Sequence, residues 1–346
     1  MVNNPENPLN LLFIGSFMST HSGSLCASEK LAGSLRQNNI ASELVSRKKN
    51  KIIRLIEIII ALFHSKAQYV HVDVYSGQAF IIAEVSSLIC SLLKRKHILT
   101  LHGGALPNFF QNNQKRIEKV FNRASLILTP SQYLKHFFED KGFKIQYIPN
   151  SIDLYNFPFD RSRVKPYSML WVRAFDPIYN PHLAVETLFK VREKYPEATL
   201  TMVGPDKGLL NAAKQLIKEK KLENSVQIVG PVPNQELFSY YQSHEVFLNT
   251  TSYESFGVAV LEAASCGIPI VSTQVGEIPY MWKQGEEMLM VDDFGAGHFA
   301  EHVIKIFEDK ELASLLSLNA CKKAKIFDWE IIKPFWLNLF NNKHER

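Results

Sequence analysis

Val246-Phe-Leu-Asn-Thr-Thr-Ser-Tyr-Glu-Ser-Phe-Gly-Val-Ala-Val-Leu-Glu-Ala-Ala-Ser-Cys-Gly-Ile-Pro-Ile-Val-Ser272 is the stretch that decides the fold. Val246-Phe-Leu248 reads as a short buried strand. A helix is predicted from near Phe256 to a stop at Gly267, and Ile270-Val-Ser272 follows as another strand. Short apolar runs alternating with helical patterns are the mark of a parallel α/β architecture.

The same rhythm extends upstream. Ser168-Met-Leu-Trp-Val172, Thr199-Leu-Thr-Met-Val203 and Val226-Gln-Ile-Val229 read as strands. Helices are predicted over His182–Tyr195, Leu209–Lys221 and Gln235–Gln242. The first half runs alike. Strands are predicted at Leu11–Gly15, Tyr69–Asp73, Ile98–Leu101 and Leu126–Thr129, with a small-residue loop over Ser16–Ser24. Helices are expected at Cys26–Gln37, Gln114–Arg123 and Ser131–Lys141, the last with Ser131 as N-cap and Gly142 as stop. The least structured stretch is Asn150–Pro166, so the domain boundary is placed there. Two doubly wound domains in tandem can face each other across a cleft, and ligands of open α/β sheets bind at the carboxyl edges of the strands.

Composition narrows the class. The 346 residues are 46% hydrophobic and 21% charged, which excludes a disordered or collagen-like chain. The four cysteines form no CxxC pair, so no zinc ribbon or disulfide framework is expected, and the compartment reads as reducing and cytoplasmic. Met1–Asn10 is polar, with no secretory signal expected, and the most apolar stretch, Leu55–Phe63, is far short of a membrane span. Residues 1–157 hold 18 Lys+Arg against 10 Asp+Glu, and residues 158–346 hold 21 against 24. The basic first half suits an anionic partner, or is simply a lysine-rich solvated surface.

Glu254 and Glu262 are the carboxylates of the opening stretch. Eight helical residues at ~1.5 Å each would separate them by about 12 Å. That is too far for an acid/base pair, which needs roughly 5–9.5 Å. It matches the span from a ribose to a sugar across a diphosphate. Both ends want a carboxylate acceptor for hydroxyls, and a helix start with Gly257 offers backbone N–H groups to phosphate. A plain amphipathic helix capped by Glu254-Ser255 fits the same residues.

The wider pattern resembles glycosyltransferase family 4, the retaining GT-B enzymes. The resemblance rests on the E-x7-E motif Glu254–Glu262, Gly276, Ile278-Pro279, Met202-Val-Gly-Pro-Asp206, Gly230, Asn249-Thr-Thr-Ser252 and Phe327-Asp-Trp-Glu330. In the first half it touches Leu101-His-Gly-Gly104, Thr129-Pro-Ser131 and Ile148–Asp153. It implies a GT-B fold of two Rossmann-like domains. These would be residues 1–157 on the acceptor side and 158–327 on the donor side, with residues 328–346 a helix returning to the first domain.

The resemblance also assigns roles. Glu262 would hold the ribose hydroxyls of a nucleotide-sugar donor, and Glu254 the hydroxyls of the transferred sugar. The amides of Phe256, Gly257 and Val258 would hold the distal phosphate, with Gly204 also on the donor. Arg173 would neutralise the diphosphate leaving group, a task its fork suits; a structural arginine paired with Asp176 is the other reading. His102 would face the reacting sugar through a carbonyl or hydroxyl contact rather than proton transfer, or serve as a hydrogen-bonded strand-end residue. Gly23, in Ser22-Gly23, would let the backbone approach the diphosphate, or mark a plain turn. The reaction would need no metal and would pass through an oxocarbenium-like state.

Three positions depart from the family. Tyr179 is the candidate where a lysine is usual, Glu277 replaces a glycine and Tyr280 a glutamate. The expected partners are the nucleotide-sugar donor and a glycan or lipid-linked acceptor, in cell-surface polysaccharide or lipopolysaccharide assembly. Arg47-Lys-Lys-Asn-Lys51 before the apolar Ile52–Phe63 suggests peripheral contact with an anionic membrane, or a loop before a core helix. Nucleic acid is not expected, because no helix-turn-helix or aromatic array accompanies the basic half. A nucleotide-sugar-binding protein without turnover and a GT-B epimerase are the competing readings.

Overall fold

The computed structural model describes residues 9–17 and 25–341. Gly23 and Ser22 lie outside them. The chain divides into two compact units between Ser151 and Ile152. This is earlier than the 157/158 boundary read from sequence. The linker residues already belong to the second unit: Ile152 N donates to Phe327 O at 2.9 Å, and Ser265 Oγ donates to the carbonyl of Phe157.

The first unit is a six-stranded parallel sheet in the order β2-β1-β3-β4-β5-β6. The strands are β1 (Asn10–Ile14), β2 (Ala41–Val45), β3 (Tyr69–Val74), β4 (His97–Leu101), β5 (Leu126–Thr129) and β6 (Gln146–Tyr147). Its helices are α1 (Ala27–Gln37), α2 (Lys51–His64), α3 (Phe80–Leu92), α4 (Leu106–Phe121) and α5 (Gln132–Glu139). β3 and β4 are buried along their whole length, because helices cover both faces of a parallel sheet. Ile58, Leu62, Phe80, Ile89, Phe110 and Phe138 join Val70, Val72 and Leu99 in one core. Helix starts follow local chemistry. Asn50 Oδ1 accepts from Ile52 N and Ile53 N ahead of α2, and Ser131 Oγ accepts from Leu134 N ahead of α5.

The second unit repeats the plan, with strand order β12-β11-β10-β7-β8-β9. Its strands are β7 (Ser168–Val172), β8 (Thr199–Val203), β9 (Val226–Gly230), β10 (Val246–Asn249), β11 (Ile270–Thr273) and β12 (Leu289–Val291). The helices are α6 (Pro181–Val191), α7 (Leu210–Glu219), α8 (Leu237–Ser243), α9 (Val258–Ser265), α10 (Ile278–Met281), α11 (Ala296–Glu308), α12 (Lys310–Ala324) and α13 (Trp329–Asn341). Trp171, Leu188 and Phe299 fill one face of the sheet, and Leu170, Tyr241, Phe247 and Val260 the other. The C-terminal α13 groups with this unit by its contacts.

Candidate functional site

In the second unit, the carboxyl edge of the sheet gathers most of the predicted donor residues. Arg173 follows directly on β7. Its Nη2 donates to Glu254 Oε2 at 2.5 Å and to Asn249 Oδ1 at 2.9 Å. Its guanidinium also lies over the Tyr179 ring, 5.1 Å from the centroid. Asp176 is not its partner; that carboxylate accepts from Ile178 N instead. The pair is held from behind, because Asn249 Nδ2 donates to Ser272 Oγ at 2.9 Å. Both members are nearly buried, at 11% and 9% side-chain exposure, so each charge depends on the other. Burial pulls the Arg173 pKa down, but Glu254, with Tyr179, Tyr241 and Glu262, together outweigh it and leave the group above its ordinary value.

The backbone around this pair has little room. A Cβ on Gly204 would sit 1.9 Å from the Arg173 carbonyl oxygen, and one on Gly276 would sit 2.0 Å from that of Glu254. Glycine at these two positions lets the Arg173 and Glu254 segments pass. The turn carrying Tyr179 (Pro177–Tyr179) is tied to the loop after β10. Thr250 Oγ1 bonds the Tyr179 carbonyl at 2.7 Å, and Ser252 N donates to Ile178 O at 2.7 Å. Burial raises the Tyr179 pKa, so its phenol stays a hydrogen-bond donor.

α9 starts at Val258 rather than near Phe256. Gly257 is the N-cap, in the left-handed region at φ 88°, and no side chain caps the helix. Glu254 therefore precedes the helix, and the distance along a helix axis does not separate it from Glu262. Phe256 N points to Glu254 Oε1 at 3.4 Å. Every residue of α9 except the first is buried, Glu262 among them. A carboxylate on such a helix is costly unless it is bonded. Tyr241 donates its hydroxyl to Glu262 Oε2 at 3.2 Å, and burial together with that carboxylate holds the phenol well above its usual pKa.

His102 belongs to the first unit, just past β4. Its Nε2 lies 3.1 Å from Asp73 Oδ1, and its ring stacks with Tyr75 at 5.7 Å. Asp73 also accepts from Ser28 Oγ at 2.6 Å. Burial pushes the Asp73 carboxyl up, but the neighbouring His102 charge and hydrogen bond, with His71 and Ser28, hold it below the usual range. Burial drives the His71 pKa down to about 4, which keeps that ring neutral. Sequence reading passed over Asp73, Asn249 and Tyr241 as site residues. Two of them carried a signal: Asn249 opens the motif Asn249-Thr-Thr-Ser252, and Asp73 is an acid inside the mostly apolar strand Tyr69–Val74.

The same unit leaves an apolar helix face uncovered. On α2, Ile52 is 71% exposed, Phe63 59% and Ile60 54%, and on α3 Leu92 is 73% exposed. Arg47, Lys48, Lys49 and Lys51 stand at the start of α2. No helix among the described residues is long and apolar enough to cross a membrane, and no cluster of three metal-ligating side chains occurs among them.

Residues 156–323, almost the whole of the sheet and cluster just described, match the family of glycosyl transferases group 1. The second unit is thus similar to the group 1 glycosyl transferases. D-inositol 3-phosphate glycosyltransferase of Corynebacterium glutamicum is 22% identical over 178 residues, 50% of this chain and 42% of that protein. O-antigen chain mannosyltransferase B of Escherichia coli is 28% identical over 116 residues, 34% of this chain and 30% of that protein. The matches thus span less than half the length of these relatives. Among solved structures, sucrose-phosphate synthase of Thermosynechococcus elongatus superposes with a TM-score of 0.80 at 17% identity, covering 98% of this chain and all of that one. HepE of Anabaena, in complex with UDP and glucose, gives 0.77 at 16% identity, covering 97% of this chain and 100% of the other. The fold is accordingly GT-B, with two Rossmann-like units.

Proposed function

We propose that the chain is a retaining glycosyltransferase that moves a hexose-type sugar from a nucleotide diphosphate sugar to a glycan or lipid-linked acceptor. The observation that carries this is the Arg173–Glu254 pair beside the uncapped, glycine-led start of α9. A guanidinium fork and free helix N–H groups suit diphosphate oxygens. Glu254 takes hydroxyls of the sugar, and Glu262 those of the ribose. Tyr179 adds a neutral donor where the family has a lysine. The anomeric carbon–oxygen bond to the diphosphate breaks as the acceptor hydroxyl bonds to that carbon on the same face. The departing diphosphate takes the hydroxyl proton, and Arg173 stabilises its growing charge. HepE's complex with UDP and glucose, and the names of the inositol phosphate and mannose transferases, support a sugar nucleotide as donor. The reading extends to a cytoplasmic protein docked on an anionic membrane through α2, in surface polysaccharide assembly.

A thermal-shift screen against UDP-, GDP-, ADP- and CMP-sugars tests the donor. A ligand at ~100 times its dissociation constant adds about 2.7 kcal/mol of stability. The hit is then supplied as labelled donor with an acceptor panel, and product formation with retained anomeric configuration is expected. Tight binding without transfer or hydrolysis would favour the binding-only reading, to which the missing lysine at Tyr179 gives its one support. No shift with any donor would remove both.

A further inference from the structure

The carboxylate of Asp73 has no part in the sugar-transfer scheme, yet it is buried and bonded by two side chains, Ser28 and His102. We propose that Asp73 is a positioning residue: its bond to Nε2 of His102 fixes that ring so that Nδ1 is the atom offered to a bound hydroxyl. The arrangement follows from neighbouring strands. Asp73 on β3 pairs in register with Thr100 on β4, and His102 N donates to Val74 O at 3.1 Å just beyond the strand end. An ionised carboxylate only accepts hydrogen bonds, so a 3.1 Å contact requires Nε2 to carry the proton. Nε2 keeps that proton whether the ring is neutral or cationic. The neutral ring then has its lone pair on Nδ1, which has no partner among the described residues.

The other groups around Asp73 cannot do this work. His71 is neutral, its Nδ1 is 3.7 Å away, and its Nε2 is engaged with Thr100 Oγ1 at 2.8 Å. Ser28 shares Oδ1 with His102 and leaves the carboxylate anionic. Tyr75 limits the ring from its flat side. A side chain at residue 15 would meet Asp73 Oδ2 at 2.9 Å, so Gly15 and the carboxylate leave each other no slack. The ring is thus pinned by one hydrogen bond and one stack, with 10% of the side chain exposed.

The claim about turnover rests on the proposed transfer reaction; the claim about the tautomer does not. The experiment is nitrogen-15 NMR of histidine-labelled protein without donor, with His102 assigned by the loss of its signals in His102→Gln. The native chain should give the pattern of a ring protonated at Nε2. Asp73→Ala should mix the tautomers, and Asp73→Asn, whose amide oxygen can still accept, should restore the native pattern. In turnover, Asp73→Ala should lower kcat about tenfold or more with donor KM little changed, the loss expected for one charge-assisted hydrogen bond, and Asp73→Asn should recover part of it. Circular dichroism confirms that each variant is folded. A native ring protonated at Nδ1, or an Asp73→Ala spectrum identical to native, overturns the proposal. If the native spectrum alone is obtainable because Asp73→Ala does not fold, that spectrum and Asp73→Asn still decide. The tautomer result with no sugar transfer by any variant would instead sink the functional reading and leave this one standing.

Discussion

In the proposed reaction Arg173 and Glu262 would differ in when they act. Arg173 would answer a charge that grows as the diphosphate leaves, whereas Glu262 would bind ribose hydroxyls equally well before and during the reaction. Uniform binding appears in KM and transition-state binding in kcat. Arg173→Ala should therefore lower kcat about a hundredfold or more, and Glu262→Ala should raise donor KM about tenfold to a hundredfold with kcat nearly kept. Steady-state kinetics on folded variants reads both. An unchanged kcat in Arg173→Ala removes the leaving-group role. Arg173→Ala also leaves Glu254 as a buried charge without its partner, so its thermal midpoint should fall as well. Tyr179 belongs to the same balance. Its ring lies on the guanidinium, so it holds Arg173 by contact without supplying charge.

At the scale of elements, two glycines of the opening stretch and its sequel differ in cost. Gly276 sits at φ 54° with the Glu254 carbonyl where a Cβ would be, while Gly257 at φ 88° has only ordinary contacts around it. Gly257→Ala should lose about 1–2 kcal/mol, the penalty of a left-handed alanine. Gly276→Ala must move the Glu254 backbone and should lose clearly more. Chemical denaturation of the second unit measures both, and equal losses would contradict the close approach at Gly276. Helix α2 makes a separate prediction. With its apolar face open and basic residues at its start, the chain should co-sediment with vesicles containing anionic lipid. It should do so less with neutral ones, and Ile53→Glu with Ile60→Glu should abolish it. Equal binding to both vesicle types would leave the face without its proposed occupant. Elements also show what sequence can carry. The strands at 69–73, 168–172, 199–203 and 270–272 were readable because they are short, mostly apolar runs buried almost throughout. β2 was not, since Ala41–Val45 is a half-exposed edge strand with Ser42 and Glu43 inside it. α3 is apolar nearly all round and offers no period to read. The start of α9 was misplaced by the left-handed Gly257, a backbone state that the residue type permits but does not announce. The Arg173–Glu254 contact joins residues far apart in sequence, so the motif could name its members but not their pairing. Asp73 is the reverse case, visible as an odd acid in a strand but mute about His102.

Across the whole molecule, buried histidines set the response to acid. His71, with its pKa near 4, and His97 lie in the first unit, and His244 in the second. Burial is the leading cause of each downward shift, because the imidazolium cannot be hydrated there. An unfolded histidine takes its proton near pH ~6.5. Between that value and the lower native ones, the unfolded chain holds more protons than the folded one, so stability rises with pH and falls as the solution is acidified. Asp73 adds to this only lower down. Its depressed native pKa gives stability above the ordinary carboxylate range that is lost as pH falls through the native value. His298 works the other way, since its hydrogen bond to Asp293 raises it, but both groups are exposed and screened. The thermal midpoint should therefore decline steadily from pH 7.5 to pH 5. The transition of the first unit should move further than that of the second, because it holds two of the three lowered rings among the described residues. His71→Asn should flatten the slope of the first unit and leave the second as it was. A midpoint constant over that range, or a second unit more sensitive than the first, would show that the buried rings are not neutral in the native chain.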